Sequence, residues 1–186
     1  MAAGQKRASA AIHRRAKKIR LLLMDVDGVL TDGHVCLQTF PDGHVGEMKI
    51  FNAHDGAGLK LASIVGLRTG VISGRNARAV DQRAKEAGIQ FVYQGRAEKV
   101  GAYLDAIRRA EVSDEEVAYM GDDLPDLPLM VRVGLAVAVA DAAPEVRKSA
   151  HYVTRARGGD GAAREVVELI LKAQGKWKNA IPRAQA

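Results

Sequence analysis

Ile19-Arg20-Leu21-Leu22-Leu23-Met24-Asp25-Val26-Asp27-Gly28-Val29-Leu30-Thr31-Asp32-Gly33 decides how the rest of the chain is read. The run Ile19–Met24 is short and apolar, as a strand buried on both faces would be, and it ends abruptly in acidic residues and glycine. Four further runs have the same character: Leu67–Ser73, Gln90–Tyr93, Val117–Met120 and Val133–Val139, each bounded by Gly, Asp or Pro. Helical spacing fills the intervals at about 54–65, 76–87, 96–110, 123–131 and 143–149, with a last helix at about 161–174 in which Val166, Val167, Ile170 and Leu171 share a face. Strands alternating with helices predict right-handed crossovers and a parallel sheet covered on both faces, an α/β doubly wound fold. One segment departs from the alternation. His34–Phe40 and His44–Phe51 flank Pro41-Asp42-Gly43, so a β-hairpin insertion is expected over about 34–51.

The chain has 186 residues, 47% hydrophobic and 27% charged, which suits one domain with a sizeable core. Cys36 is the only cysteine, which rules out an intramolecular disulfide and fits a reducing compartment. With no secretory signal and no apolar run of membrane-spanning length, the expected setting is cytoplasmic, without a membrane partner. The formal charge of +6 is unevenly spread: residues 1–20 hold seven Lys or Arg and no acid, and residues 172–186 hold four and no acid. Between 21 and 171 stand 17 basic against 22 acidic residues. The basic ends therefore read as solvated extensions, a flexible one over 1–18 and a tail over 175–186, around a domain at 19–174. They carry no motif for base readout, so no nucleic-acid partner is expected.

Ligands of open α/β sheets sit outside the carboxyl ends of the strands. At those ends stand Asp25-Val26-Asp27, Ser73-Gly74-Arg75, Lys99 and Gly121-Asp122-Asp123, with Asp126 following. These are the groups that phosphate ester cleavage requires. A carboxylate serves as nucleophile, and carboxylates hold Mg²⁺, which takes oxygen ligands and offsets the repulsion between anions. A hydroxyl, an ammonium and backbone N–H groups hold the phosphate oxygens. Asp32 reads as a loop terminator, His34, His44 and His151 as surface or strand histidines, and Cys36 as a packing residue.

In this order and at these places, the motifs resemble those of the haloacid dehalogenase-like phosphatases. The resemblance implies that Asp25 is the nucleophile and Asp27 the general acid and base. It places Mg²⁺ on Asp25, Asp122 and the backbone carbonyl of Asp27, has Ser73 and Lys99 hold the transferring phosphoryl group, and gives Asp123 and Asp126 supporting roles. Only the hairpin lies between the first two motifs, so no cap domain is expected. The stretches Phe51–Gly58, Val117–Pro128, Val133–Asp141, His151–Arg155 and Gly158–Ala162 are similar to 3-deoxy-D-manno-octulosonate 8-phosphate phosphatases. That likeness implies a small acidic sugar-phosphate substrate, a role in lipopolysaccharide precursor synthesis, and a homotetramer whose sites borrow groups from neighbours. It would line the substrate site with Asp27, Asn52, Ala53, His54, Asp55, Gly56, Lys60, Gly74, Arg75, Arg83 and Lys99. His54 stands where that family usually has arginine. The alternatives are a phosphatase for a nine-carbon keto-sugar phosphate and a non-catalytic binding or assembly domain.

Overall fold

The computed structural model describes residues 2–183. The main sheet has six parallel strands in the order β5-β4-β1-β6-β7-β8: β1 (Leu21–Met24), β4 (Arg68–Ile72), β5 (Phe91–Tyr93), β6 (Val117–Gly121), β7 (Leu135–Ala138) and β8 (Tyr152–Val153). The pair β2 (Cys36–Thr39) and β3 (Val45–Met48) forms the separate antiparallel hairpin. Every residue of β1, β6 and β7 is buried, as strands covered on both faces must be. Helices α2 (Ala53–Ile64), α3 (Arg78–Ala87) and α7 (Ala162–Ala173) pack together in one layer, while α4 (Val100–Ala110), α5 (Leu127–Met130) and α6 (Pro144–Ser149) pack together in another.

From β1 the chain runs outward through β4 to β5, then returns across β1 and continues through β6 to β8. The direction of winding therefore reverses between β1 and β6, and the crevice at their carboxyl ends is where such sheets bind ligands. The hairpin turns at Phe40–His44, where Gly43 has φ +85 and its N–H bonds the Phe40 carbonyl at 2.9 Å. The Phe40 and His44 rings stack across the turn at 4.2 Å.

Three elements depart from the sequence reading. β8 is two residues long, too short for its alternation to register. The expected flexible N-terminal extension is a helix, α1 (Ala2–Lys18), whose alanines favour helix despite the charge. Its end is anchored: Ala16 and Ile19 are buried, and Arg15 donates to the Gly134 carbonyl at 2.6 Å. The expected C-terminal tail contains α8 (Trp177–Arg183), which packs on α2 and α7 with Ala180 fully buried. The Arg164 and Lys172 cations lie over the Trp177 ring at 5.1 and 5.3 Å. The far ends of both expected tails, residue 1 and residues 184–186, lie outside the described residues. Because α8 is packed, deleting residues 175–186 should cost on the order of 2 kcal/mol of apolar burial and lower the melting temperature. An unchanged melt would show that α8 contributes nothing to the fold.

Candidate active site

Asp25 leaves the end of β1 with its N–H on the Met120 carbonyl of β6 at 3.0 Å, so the sheet itself fixes its backbone. The chain then turns tightly, the Val26 carbonyl accepting from the N–H groups of Val29, Leu30 and Thr31. Gly28 is required in this turn for two reasons: its φ is +88, and a Cβ there would collide with the Asp122 carboxylate. The loop Gly158–Gly161 closes on this same turn. The Gly159 N–H bonds the Val29 carbonyl at 2.9 Å, and a Cβ on Gly158 would strike the Gly28 carbonyl.

Lys99, 4% exposed, comes from the start of α4 and bridges Asp25 Oδ2 at 2.8 Å and Asp126 Oδ1 at 2.7 Å. Burial alone would push the lysine's pKa down, but the two carboxylates outweigh it and hold it above its ordinary value. Asp126 is fully buried and fully engaged. Its Oδ1 accepts from Lys99 and from the Tyr119 hydroxyl at 2.6 Å, and its Oδ2 accepts from the Asp122 and Asp123 N–H groups at 2.9 and 3.3 Å. Asp126 thus positions both Lys99 and the backbone that carries Asp122. Asp123 lines the cleft beside Asp122, and its Oδ1 accepts the Leu124 N–H at 2.8 Å.

Asp25, Asp122 and Asp126 together outnumber the single charge of Lys99. Burial pushes Asp25 up to about 6, with Lys99 pulling against it. Burial, then the nearby charges of Asp126 and Asp25, push Asp122 up to about 8. Asp122 Oδ1 and Asp27 Oδ2 are buried without a hydrogen-bond partner among the described residues. Asp25, Asp122 and Asp126 each offer an oxygen within 4.8 Å of the others. With Asp126 already saturated, Asp25 and Asp122 are the open pair, an all-oxygen donor set of the kind that suits Mg²⁺.

The cleft over these groups has a volume of about 430 Å³, and Asp25, Asp27, Ser73, Arg75, Lys99 and Asp122 line it along with Gly74. Ser73 is buried at the end of β4, and its Oγ accepts the Arg75 N–H at 3.1 Å.

The other expected substrate residues lie outside this cleft. Asn52 caps α2, accepting from the His54 N–H at 2.8 Å, while Ala53, His54 and Lys60 are exposed along that helix. The Asp55 carboxylate accepts the Gly161 and Arg164 N–H groups at the start of α7, at 3.2 and 2.8 Å, and so joins two helices. A Cβ on Gly56 would meet the Arg83 guanidinium, which donates to the Asn52 carbonyl at 2.7 Å.

Two residues at the site were not foreseen. Lys49, just past β3, has a side chain only 2% exposed and pairs with Asp27 and, at 2.7 Å, with Glu47. Glu47 in turn takes a bidentate contact from Arg75, with Nε at 3.1 Å and Nη2 at 3.0 Å. The available signal was the alternation Glu47-Met48-Lys49-Ile50, which sets two charges on one face of a hairpin strand.

A family description for haloacid dehalogenase-like hydrolases matches residues 76–166. The 3-deoxy-D-manno-octulosonate 8-phosphate phosphatase KdsC of Escherichia coli (strain B / BL21-DE3) is 46% identical over 173 residues, 92% of this chain and 89% of that protein. The crystal structure of the phosphatase of that name from Yersinia pestis superposes with a TM-score of 0.84 at 45% identity, covering 90% of this chain and 89% of the other. A Moraxella catarrhalis phosphatase of the same name, in complex with a magnesium ion, a phosphate ion and a KDO molecule, gives a TM-score of 0.86 at 38% identity, covering 92% and 97%. With that similarity running over nearly the whole of each chain, this protein belongs to the 3-deoxy-D-manno-octulosonate 8-phosphate phosphatases, a family of the haloacid dehalogenase-like hydrolases.

Proposed function

We propose that the chain is a Mg²⁺-dependent phosphomonoesterase that hydrolyses 3-deoxy-D-manno-octulosonate 8-phosphate to the free sugar acid and phosphate, in lipopolysaccharide precursor synthesis. The observation that carries this is the Lys99-braced Asp25 beside the orphaned Asp122 oxygen at the switch point of the sheet. Asp25 and Asp122, with the Asp27 carbonyl, would hold the ion, which when bound offsets the repulsion between carboxylate and phosphate.

In the first step an Asp25 oxygen attacks phosphorus in line, the bond from phosphorus to the sugar oxygen breaks, and Asp27 gives that oxygen its proton. In the second step a water attacks the phosphorus of the Asp25 acyl phosphate and loses its proton to Asp27, and phosphate leaves with Asp25 restored. Lys99, the Ser73 hydroxyl and the backbone N–H groups of the loop after β1 hold the phosphate oxygens throughout. Release of phosphate from the octulosonate phosphate against a panel of other sugar phosphates tests the substrate. A nine-carbon keto-acid phosphate is the second reading, favoured by His54 where arginine is usual. The intact set Asp25, Asp27, Lys99 and Asp122 argues against a non-catalytic domain.

The assembly follows from the hairpin. Leu37, Val45 and Ile50 on it are 62%, 60% and 71% exposed, and a lone two-stranded hairpin is marginal in water. A homotetramer with hairpins packed together would cover them and bring His54, Lys60 or Arg83 of one subunit toward a neighbour's cleft. No helix among the described residues is long and apolar enough to cross a membrane, and a cytoplasmic setting suits the lone Cys36.

Ion binding has a readout independent of turnover. Asp25 and Asp122 both lie above their ordinary value of 3.8 in the fold, at about 6 and about 8. The unfolded chain therefore releases these protons first, and the metal-free protein loses stability as pH rises from about 4 to about 8. Mg²⁺ needs both groups ionised, so the rise in Tm it gives should be small at pH 5 and largest near pH 8, and Asp122→Asn should remove it. A rise in Tm of equal size at both pH values would contradict this site.

A further inference from the structure

The geometry points to Lys49 as the positioning residue for Asp27, with Glu47 as its brace, so that the hairpin sets the proton-transfer step of the reaction. This rests on the proposed role of Asp27 as general acid and base. Among the described residues Lys49 is the only side chain bonded to the Asp27 carboxylate, through Oδ1. Asp27 Oδ2 is buried without a hydrogen-bond partner among the described residues, on a side chain that lines the cleft, and it is the oxygen left to carry the transferred proton. Division of the two oxygens in this way holds the carboxylate in one rotamer without occupying the atom that reacts.

The arrangement is specific to these residues. An ammonium this deeply buried is costly unless it is matched by opposite charge. Lys49 is matched twice, by Asp27 and by Glu47, and Glu47 is itself fixed by the two-pronged Arg75 contact at 3.1 and 3.0 Å. Charges of alternating sign thus run from Arg75 through Glu47 and Lys49 to Asp27. They join three segments that are far apart in sequence: the turn after β4, the hairpin and the turn after β1. The pair Glu47 and Lys49 faces this chain of charges while Met48 and Ile50, at 52% and 71% exposed, point away from it.

A lysine that merely fastens the hairpin would give a different result from one that positions Asp27. The discriminating measurement is single-turnover phosphorylation of Asp25 by two substrates, a primary alkyl phosphate and p-nitrophenyl phosphate. An alkoxide cannot leave without a proton, whereas nitrophenolate is a stable anion and leaves unaided. General acid catalysis is worth about 10²–10⁴-fold, so losing the positioning of the acid should remove about 10- to 100-fold. Lys49→Met, which keeps the volume and loses the charge, should slow the alkyl phosphate at least about tenfold more than the aryl phosphate. The loss should fall on the rate constant more than on KM, and Lys49→Arg should restore part of it. Should Lys49→Met fail to fold, Glu47→Gln carries the test, with the same selectivity and a smaller loss. Equal losses on both substrates, or none on either, would overturn the inference. Any alkyl phosphate that the wild type hydrolyses will serve, so failure on the octulosonate phosphate would sink the substrate reading and leave this comparison standing.

Discussion

Asp25→Asn should reduce phosphate release by at least about 10⁴-fold, the scale on which loss of a nucleophile is felt, while leaving a folded protein. The asparagine keeps the volume and the backbone contact to Met120 but is not a nucleophile toward phosphorus. The fold should not suffer at neutral pH. Burial raises the Asp25 pKa to about 6 even against the pull of Lys99, so ionised Asp25 is a net burden on the metal-free protein, and removing its charge relieves the Asp122 and Asp126 carboxylates nearby. Lys99 keeps its second partner, Asp126, at 2.7 Å. We expect a metal-free melting temperature at pH 7.5 equal to or above that of the wild type, together with loss of the stabilisation by Mg²⁺. Turnover within tenfold of the wild type would remove Asp25 from the chemistry.

Asp126→Ala should be the most destabilising single change at the site. Asp126 is fully buried and satisfies four donors: the Lys99 ammonium, the Tyr119 hydroxyl and two backbone N–H groups. Its removal leaves a buried cation with only one partner and a buried hydroxyl with none. Breaking a buried pair costs roughly 3–5 kcal/mol, and we expect the lower end because Asp25 still meets Lys99. Activity should fall as well, since the Asp122 N–H and Lys99 both lose their positions. Denaturant unfolding of wild type and variant measures the first effect. A difference below about 1 kcal/mol would mean that Asp126 only starts a helix, as its place after Gly121-Asp122-Asp123 also allows.

The central sheet and the centre of the site were legible because they rest on local chemistry. An apolar run ending in Asp25-Val26-Asp27, or in Gly121-Asp122-Asp123, announces both a buried strand and what stands at its end. The order of the strands then brings those ends together, so residues nearly a hundred positions apart become neighbours through rules of winding alone. What stayed hidden depended on contacts between distant segments. Asp55 looks like a site residue in sequence, but its carboxylate is committed to α7, more than a hundred residues away. Lys49 looks like an ordinary charge in a hairpin, and only the folding of that hairpin over the turn after β1 turns it into a partner for Asp27. The helical termini were misread because charge dominates their composition. Two of the residues that anchor them, Ala16 and Ala180, are lone alanines with no sustained apolar pattern around them to mark them as core. Asn52–Gly56, Lys60 and Arg83, which the family likeness would place at the substrate, do not line the cleft, because α2, its N-cap and α3 carry them rather than the strand ends.

The deciding measurement is the steady-state kcat/KM for phosphate release from 3-deoxy-D-manno-octulosonate 8-phosphate, with Mg²⁺ and with excess chelator, set beside nine-carbon keto-acid phosphates and simple hexose phosphates. The octulosonate phosphate should give the highest value, chelation should abolish it, and Asp25→Asn should be inactive with every substrate. Equal or greater efficiency on another phosphate class, or turnover that survives chelation, would contradict the proposed function.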